Sequence, residues 1–260
     1  MQGSHLSIRI FWILAVSTLL SACANTTRPG AVGINRSQFM MASSEDVNRL
    51  SAVSYSEQNQ KAKEKNILVT SGPTYDRLKI IANRLIPQTE AFRDDTKQWD
   101  WRLTLIDAPT LNASCAPGGK ITFYTGIIEQ LNLNDDEIAA IMGHEIAHAI
   151  AHHGNERMSQ GMMVQFGGTV LATALQQKPA ITQALFQQAY GLSTNLGMLK
   201  YSRTHETEAD KMGLVFAAMG GYNPEVAITF WERMAQAGSG QKPPELLSTH
   251  PSDATRIADL

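Results

Sequence analysis

Apolar positions recur at helical spacing from Tyr75 through Leu78, Ile81, Ala82 and Leu85, and Pro87 closes that helix. Trp101, Leu103 and Leu105 then alternate with Arg102 and Thr104, the period of a strand. A turn-rich stretch, Asn112 to Gly119, leads to a second alternating run at 120–125, KITFYT. Asn134, followed three residues later by Glu137, predicts a capping box and a helix running through His152, after which Gly154 weakens continuation. The remainder reads as helices over 158–175, 181–189, 206–219 and 224–237. Two strands beside a run of helices predict an α+β fold with a small sheet.

The two ends read differently. Ile10 to Leu20 is an apolar run behind Arg9, too short to span a bilayer and suited to a secretion signal. Ser21-Ala22-Cys23 resembles a lipobox, which makes residues 1–22 a lipoprotein signal peptide and Cys23 the lipidated first residue. Ala24 is not the aspartate that retains such proteins in the inner membrane, so the expected place is the outer membrane of a Gram-negative bacterium, facing the periplasm. Residues 23–72 are polar and read as lipidated N-terminus, tether and one or two surface helices, with the main domain at 73–260. The last five residues, 256–260, read as the opening turns of a helix that stops abruptly.

At 260 residues, with 43% hydrophobic and 18% charged positions, the chain can bury a sizeable core. Net charge is −2, and no basic run is interleaved with aromatics, which excludes nucleic acid as partner. There are two cysteines, so lipid on Cys23 leaves Cys115 without a disulfide partner.

Chemistry concentrates in GHEIAHAIAHH at 143–153. His144 and His148 are four apart on one helix face and can present two imidazoles to a single zinc ion. Glu145, rotated off that axis, reaches a water at the metal and can act as its general base. A third ligand is required. The H-E-x-x-H-x-x-G-x-x-H scheme fails, because Ala151 and Gly154 stand where its glycine and third histidine belong. Glu206, 58 residues after His148, is the candidate third ligand, and Asp210, one turn on, is placed to accept a hydrogen bond from a ligating imidazole. Glu208 points off that face and reads as structural.

These residues resemble the gluzincin zinc metallopeptidases of the HtpX, BepA and CAAX prenyl protease I type. The resemblance rests on HEIAH at 144–148, SRTHETEAD at 202–210, NASCAPGGKITFYTG at 112–126 and STHPSDATRI at 248–257. It implies a mainly helical zincin-type domain with a small β-sheet beside the active-site helix. It also implies one Zn2+ per chain held by His144, His148 and Glu206, Glu145 as general base, and Asp210 orienting a ligand. His250 resembles a histidine that either blocks the metal as a fourth ligand or stabilises the oxyanion during turnover. The strand at 120–124 is the expected edge for an added substrate strand.

The implied activity is zinc-dependent endoproteolysis of unfolded or misassembled envelope proteins, with a lipid anchor on Cys23. The alternative is a periplasmic chaperone or assembly factor with a structural or autoinhibited zinc site. His152, His153 and His205 read as hydrogen-bonded or solvated bystanders, and Cys115 as a small strand-entry side chain. Arg256 either pairs with an active-site carboxylate or stays solvated. Met158 to Met163 read as core filling. The run 177–199 is an expected lid by the same resemblance.

Overall fold

The structure is a computed structural model of the chain and describes residues 23–24, 27–28, 32–34, 36–167, 170–190, 202–237, 244–250 and 254–260. The signal segment 1–22, residues 251–253 of the 248–257 motif and the last part of the expected lid lie outside them.

A short strand β1 (Cys23–Ala24) pairs antiparallel with β2 (Gln38–Phe39). Helix α1 (Ser44–Glu64) follows, with Ser43 Oγ accepting from the Asp46 amide as its cap. Then come β3 (Leu68–Val69), α2 (Pro73–Leu85), β4 (Arg102–Ile106), β5 (Ala113–Ala116) and β6 (Lys120–Tyr124). The helices after the sheet are α3 (Thr125–Gln130), α4 (Asp135–Ile150), α5 (His153–Phe166), α6 (Leu171–Gln177) and α7 (Pro179–Ala189). The last are α8 (Arg203–Met219), α9 (Val226–Ala237), α10 (Glu245–Thr249) and α11 (Ala254–Asp259). Among the described residues no helix is long and apolar enough to cross a membrane.

Four strands form a mixed sheet in the order β3-β4-β6-β5. β4 and β6 run parallel, from Arg102 opposite Lys120 to Ile106 opposite Tyr124, while β5 returns antiparallel to β6. This corrects the expected docking edge: the strand at 120–124 is paired on both sides and has no edge to offer. The terminal strand of that side is β5, which lies against α4.

Helix α4 is the axis of the core. Its capping box forms as expected, with Asn134 Oδ1 accepting from the Glu137 amide at 3.0 Å and the Glu137 carboxylate accepting from the Asn134 amide at 3.0 Å. Leu78, Ile81 and Leu85 of α2, Ile121 and Phe123 of β6, and Met212 and Phe216 of α8 close around Ile138, Ile141 and Ile146. A second cluster joins Val47 and Leu50 of α1 to Met158 and Met162 of α5 and Phe186 of α7, so those two methionines do fill a core.

Helix α4 stops two residues earlier than the pattern suggests. Ala151 ends it, and His152 takes a left-handed conformation at φ 55°, ψ 28°, before α5 starts at His153. The Met158–Leu175 reading divides likewise at Gly167, whose φ of 61° suits a glycine.

Candidate metal centre

The arrangement of α4 against α8 builds the site. At their crossing Gly143 and Gly213 face each other, and the close approach brings His144 and His148 opposite Glu206 and Asp210. His250, which ends α10, enters from the far end of the chain. All five side chains are buried, as is Glu145.

Four donors converge: His144 Nε2, His148 Nε2, His250 Nδ1 and a Glu206 carboxylate oxygen. The separations are 3.0 Å between His144 and His148, 3.2 Å between His144 and His250, and 3.1 Å between His250 and Glu206 Oε1. Glu206 lies 3.5 Å from each of His144 and His148. Zinc bonds of about 2.0–2.1 Å in a tetrahedron place donors about 3.3 Å apart, which these distances bracket.

The second nitrogens of the two helix histidines explain why those donors face inward. His144 Nδ1 lies 2.9 Å from Asp210 Oδ1, close but off the line of a straight hydrogen bond. His148 Nδ1 lies 3.0 Å from His153 Nδ1. With protons on these outer nitrogens, the two Nε2 lone pairs would meet at 3.0 Å, an arrangement that requires a cation between them or a proton on one. The donor set therefore fits a zinc ion. Among the described residues it is the single group of three or more such side chains able to hold a metal.

Charge is distributed to match. Burial pushes the His148 imidazolium well below its ordinary range, and His144 and His250 add to that, leaving a neutral ring. Burial alone would raise the Glu206 carboxyl, but His250 and Arg256 hold it well below the usual range as a carboxylate. Burial also works against the His144 cation, yet Asp210 and Glu206 hold its pKa up to about 9. Burial pushes the Glu145 carboxyl upward, against the pull of His250 and His144. Its Oε1 has no hydrogen-bond partner, and His250 Nε2 stands 3.6 Å away.

Arg256 is buried, not solvated. Its Nε and Nη2 hold Asp210 at 2.6 and 2.8 Å, Nη1 lies 2.6 Å from Glu206 Oε2, and the guanidinium sits 3.9 Å over the Trp231 ring. Trp231 in turn meets His144 edge-on at 5.3 Å between ring centres. The sequence carried no signal for Trp231. Arg256 lies in the 248–257 motif, and of its two readings the structure shows the pairing with carboxylates.

The other histidines separate into distinct roles. His205 belongs to the cap of α8, its amide donating to Ser202 Oγ at 3.2 Å, and its Nε2 pairs with Glu156 at 2.9 Å. His152 is buried at the break between helices. His153 is buried directly behind His148 and hydrogen-bonded, as one of its two readings had it, and not solvated. Cys115 is enclosed in β5, where burial and Glu145 push its thiol far up and keep it protonated.

A model of peptidase family M48 matches residues 74–260. The mitochondrial metalloendopeptidase OMA1 of Arabidopsis thaliana is 34% identical over 157 residues, covering 60% of this chain and 30% of that protein. The human metalloendopeptidase OMA1 is 30% identical over 233 residues, 86% of this chain and 44% of its own length. The beta-barrel assembly-enhancing protease of Escherichia coli (strain K12) is 29% identical over 165 residues, 60% of this chain and 32% of that protein. The chain thus spans less than half the length of these relatives.

Proposed function

The chain belongs to peptidase family M48, and on that premise we propose that it is a zinc-dependent endopeptidase of misfolded or misassembled cell-envelope proteins. The observation that carries this reading is the convergence of His144, His148 and Glu206 beside a buried Glu145 whose Oε1 has no partner. Zinc held by those three side chains supplies Lewis acidity, which polarises the scissile carbonyl and lowers the pKa of the attacking water toward neutrality.

Glu145 takes a proton from that water and returns it to the leaving amine. Burial shifts its carboxyl upward, the direction that suits a group taking and returning a proton. Asp210 orients His144, and Arg256 holds Asp210 and Glu206 in place. His250 stands between the ligands and Glu145, so substrate entry requires it to swing aside, from where its ring can serve the developing oxyanion.

The presence of all four donors in one closed set favours a second reading, an assembly factor whose zinc site rests shut. Digestion of casein or an unfolded porin by wild type and Glu145→Gln, with zinc measured in both, decides between them. Cleavage by wild type and none by the zinc-replete variant supports the protease. Full envelope complementation by Glu145→Gln favours the assembly factor.

The same proposal assigns residues 1–22 to a lipoprotein signal peptide, 23–72 to a lipidated arm and 73–260 to the peptidase domain. Cys23 carries the anchor on the periplasmic face of the outer membrane. Support comes from the lipobox-like Ser21-Ala22-Cys23 and from the Escherichia coli relative, named for beta-barrel assembly. Mass spectrometry of the mature N-terminus tests it.

A further inference from the structure

Behind His148 lies a chain of polar contacts that proteolysis as described does not use. His153 opens α5 with its side chain fully enclosed, Nδ1 3.0 Å from His148 Nδ1 and Nε2 2.8 Å from Glu208 Oε2. Glu208 Oε1 accepts from Arg36 Nε at 2.8 Å. The rest of that guanidinium grips both oxygens of Glu156, at 2.9 and 2.7 Å. Arg36 lies outside the stretch matched by the family, residues 74–260.

The direction of each hydrogen bond follows from what each group can do. A carboxylate only accepts, so the proton between His153 and Glu208 sits on His153 Nε2. The neutral ring then offers a lone pair at Nδ1. The 3.0 Å contact with His148 Nδ1 needs a donor, so His148 carries its proton there. His148 Nε2, which faces the other metal donors, keeps its lone pair. This is the tautomer a metal ligand requires.

We propose that Arg36, Glu208 and His153 are positioning residues, a relay that fixes the tautomer and ring orientation of His148. The segment preceding the peptidase domain thereby helps to retain the metal. The inference rests on the reading of His148 as a ligand. His144 receives its orienting carboxylate directly from Asp210, whereas His148 receives one through an intervening imidazole.

The test is zinc competition between a chromophoric chelator and the full chain, in wild type, His153→Phe, Glu208→Gln and Arg36→Gln. Ser159→Ala serves as control, because the Ser159 hydroxyl accepts from the Met41 amide at 2.9 Å on the same N-terminal approach and touches no member of the relay. Losing such an orienting partner weakens metal affinity by about 10- to 100-fold, the range expected for His153→Phe and Glu208→Gln. Arg36→Gln falls at the lower end. Ser159→Ala lowers the melting temperature and leaves zinc affinity at the wild-type value.

Nitrogen NMR of the zinc-loaded protein supplies a readout that loss of packing does not move. His148 Nδ1 bears a slowly exchanging proton in wild type and loses that protection in His153→Phe. Because the Glu208 side chain is partly exposed, at 13%, whereas that of His153 is fully enclosed, Glu208→Gln keeps the fold even where His153→Phe does not. Wild-type zinc affinity in Glu208→Gln, or equal weakening by Ser159→Ala, overturns the relay alone. A wild-type chain that takes up no zinc overturns the metal site and the relay together.

Discussion

Gly143 and Gly213 touch where helices α4 and α8, which carry the candidate ligands His144, His148 and Glu206, cross: a Cβ on Gly143 would lie 2.7 Å from the Gly213 carbonyl oxygen, and one on Gly213 2.7 Å from the His144 backbone nitrogen. Both obstacles are backbone, so neither can rotate away. Gly213→Ala is expected to force the helices apart, at about 1–3 kcal/mol in stability. It also draws Glu206 from His144 and His148, so zinc affinity falls along with the thermal midpoint. A variant with a lowered midpoint and unchanged zinc binding would show that the close crossing serves packing alone.

Zinc uptake should release a proton. In the metal-free protein His144 is held as a cation up to about 9 by Asp210 and Glu206, against burial. Below that pH zinc must displace the proton, so apparent affinity rises by about tenfold per pH unit from neutrality and levels off above about 9. Calorimetry at pH 7.5 in two buffers of different ionisation enthalpy reads the proton directly. No release would contradict this charge state.

Arg256 neutralises two buried carboxylates from a side chain that is itself 2% exposed. Arg256→Met leaves Asp210 and Glu206 buried without their cation, and breaking a buried pair from one side costs about 3–5 kcal/mol. Urea unfolding of the metal-free variant measures this. A loss below about 1 kcal/mol would mean that His144 alone satisfies both acids.

Acid sensitivity should be traceable to His152. Burial and then the Arg93 cation push it down to about 3, whereas an unfolded histidine titrates near 6.5. The folded state binds fewer protons, so the stability His152 permits is complete above about 6.5 and drains away as pH falls from there to about 3. His152→Asn, which tolerates the left-handed backbone, should lose less stability between pH 6.5 and 4.5, by up to about 1.4 kcal/mol per pH unit. Parallel urea midpoints for both proteins test this, and equal acid slopes would contradict it.

What the sequence made legible was local. The Asn134–Glu137 box, the shared face of His144 and His148, and the one-turn spacing of Glu206 and Asp210 all follow from 3.6 residues per turn. What stayed hidden depends on pairings between distant segments. Alternation marks 120–124 as a strand but says nothing of sheet order, so its interior position could not be read. Arg256 meets Asp210, 46 residues away, a pairing the sequence left open against solvation, and Glu208 meets His153 across two helices, contacts without a periodic trace. The helix end at Ala151 was missed because a histidine rarely takes the left-handed conformation that follows it.

That short break sets the phase of everything beyond it. At about 100° per residue, an unbroken helix would carry His153 about 140° around the axis from His148. The reversed backbone at His152 turns the chain so that a residue five positions on returns to the same imidazole. Helix length is therefore under the same constraint as ligand identity: adding or removing one residue at 151–152 would leave His144, Glu145 and His148 on their helix face while rotating His153 out of reach.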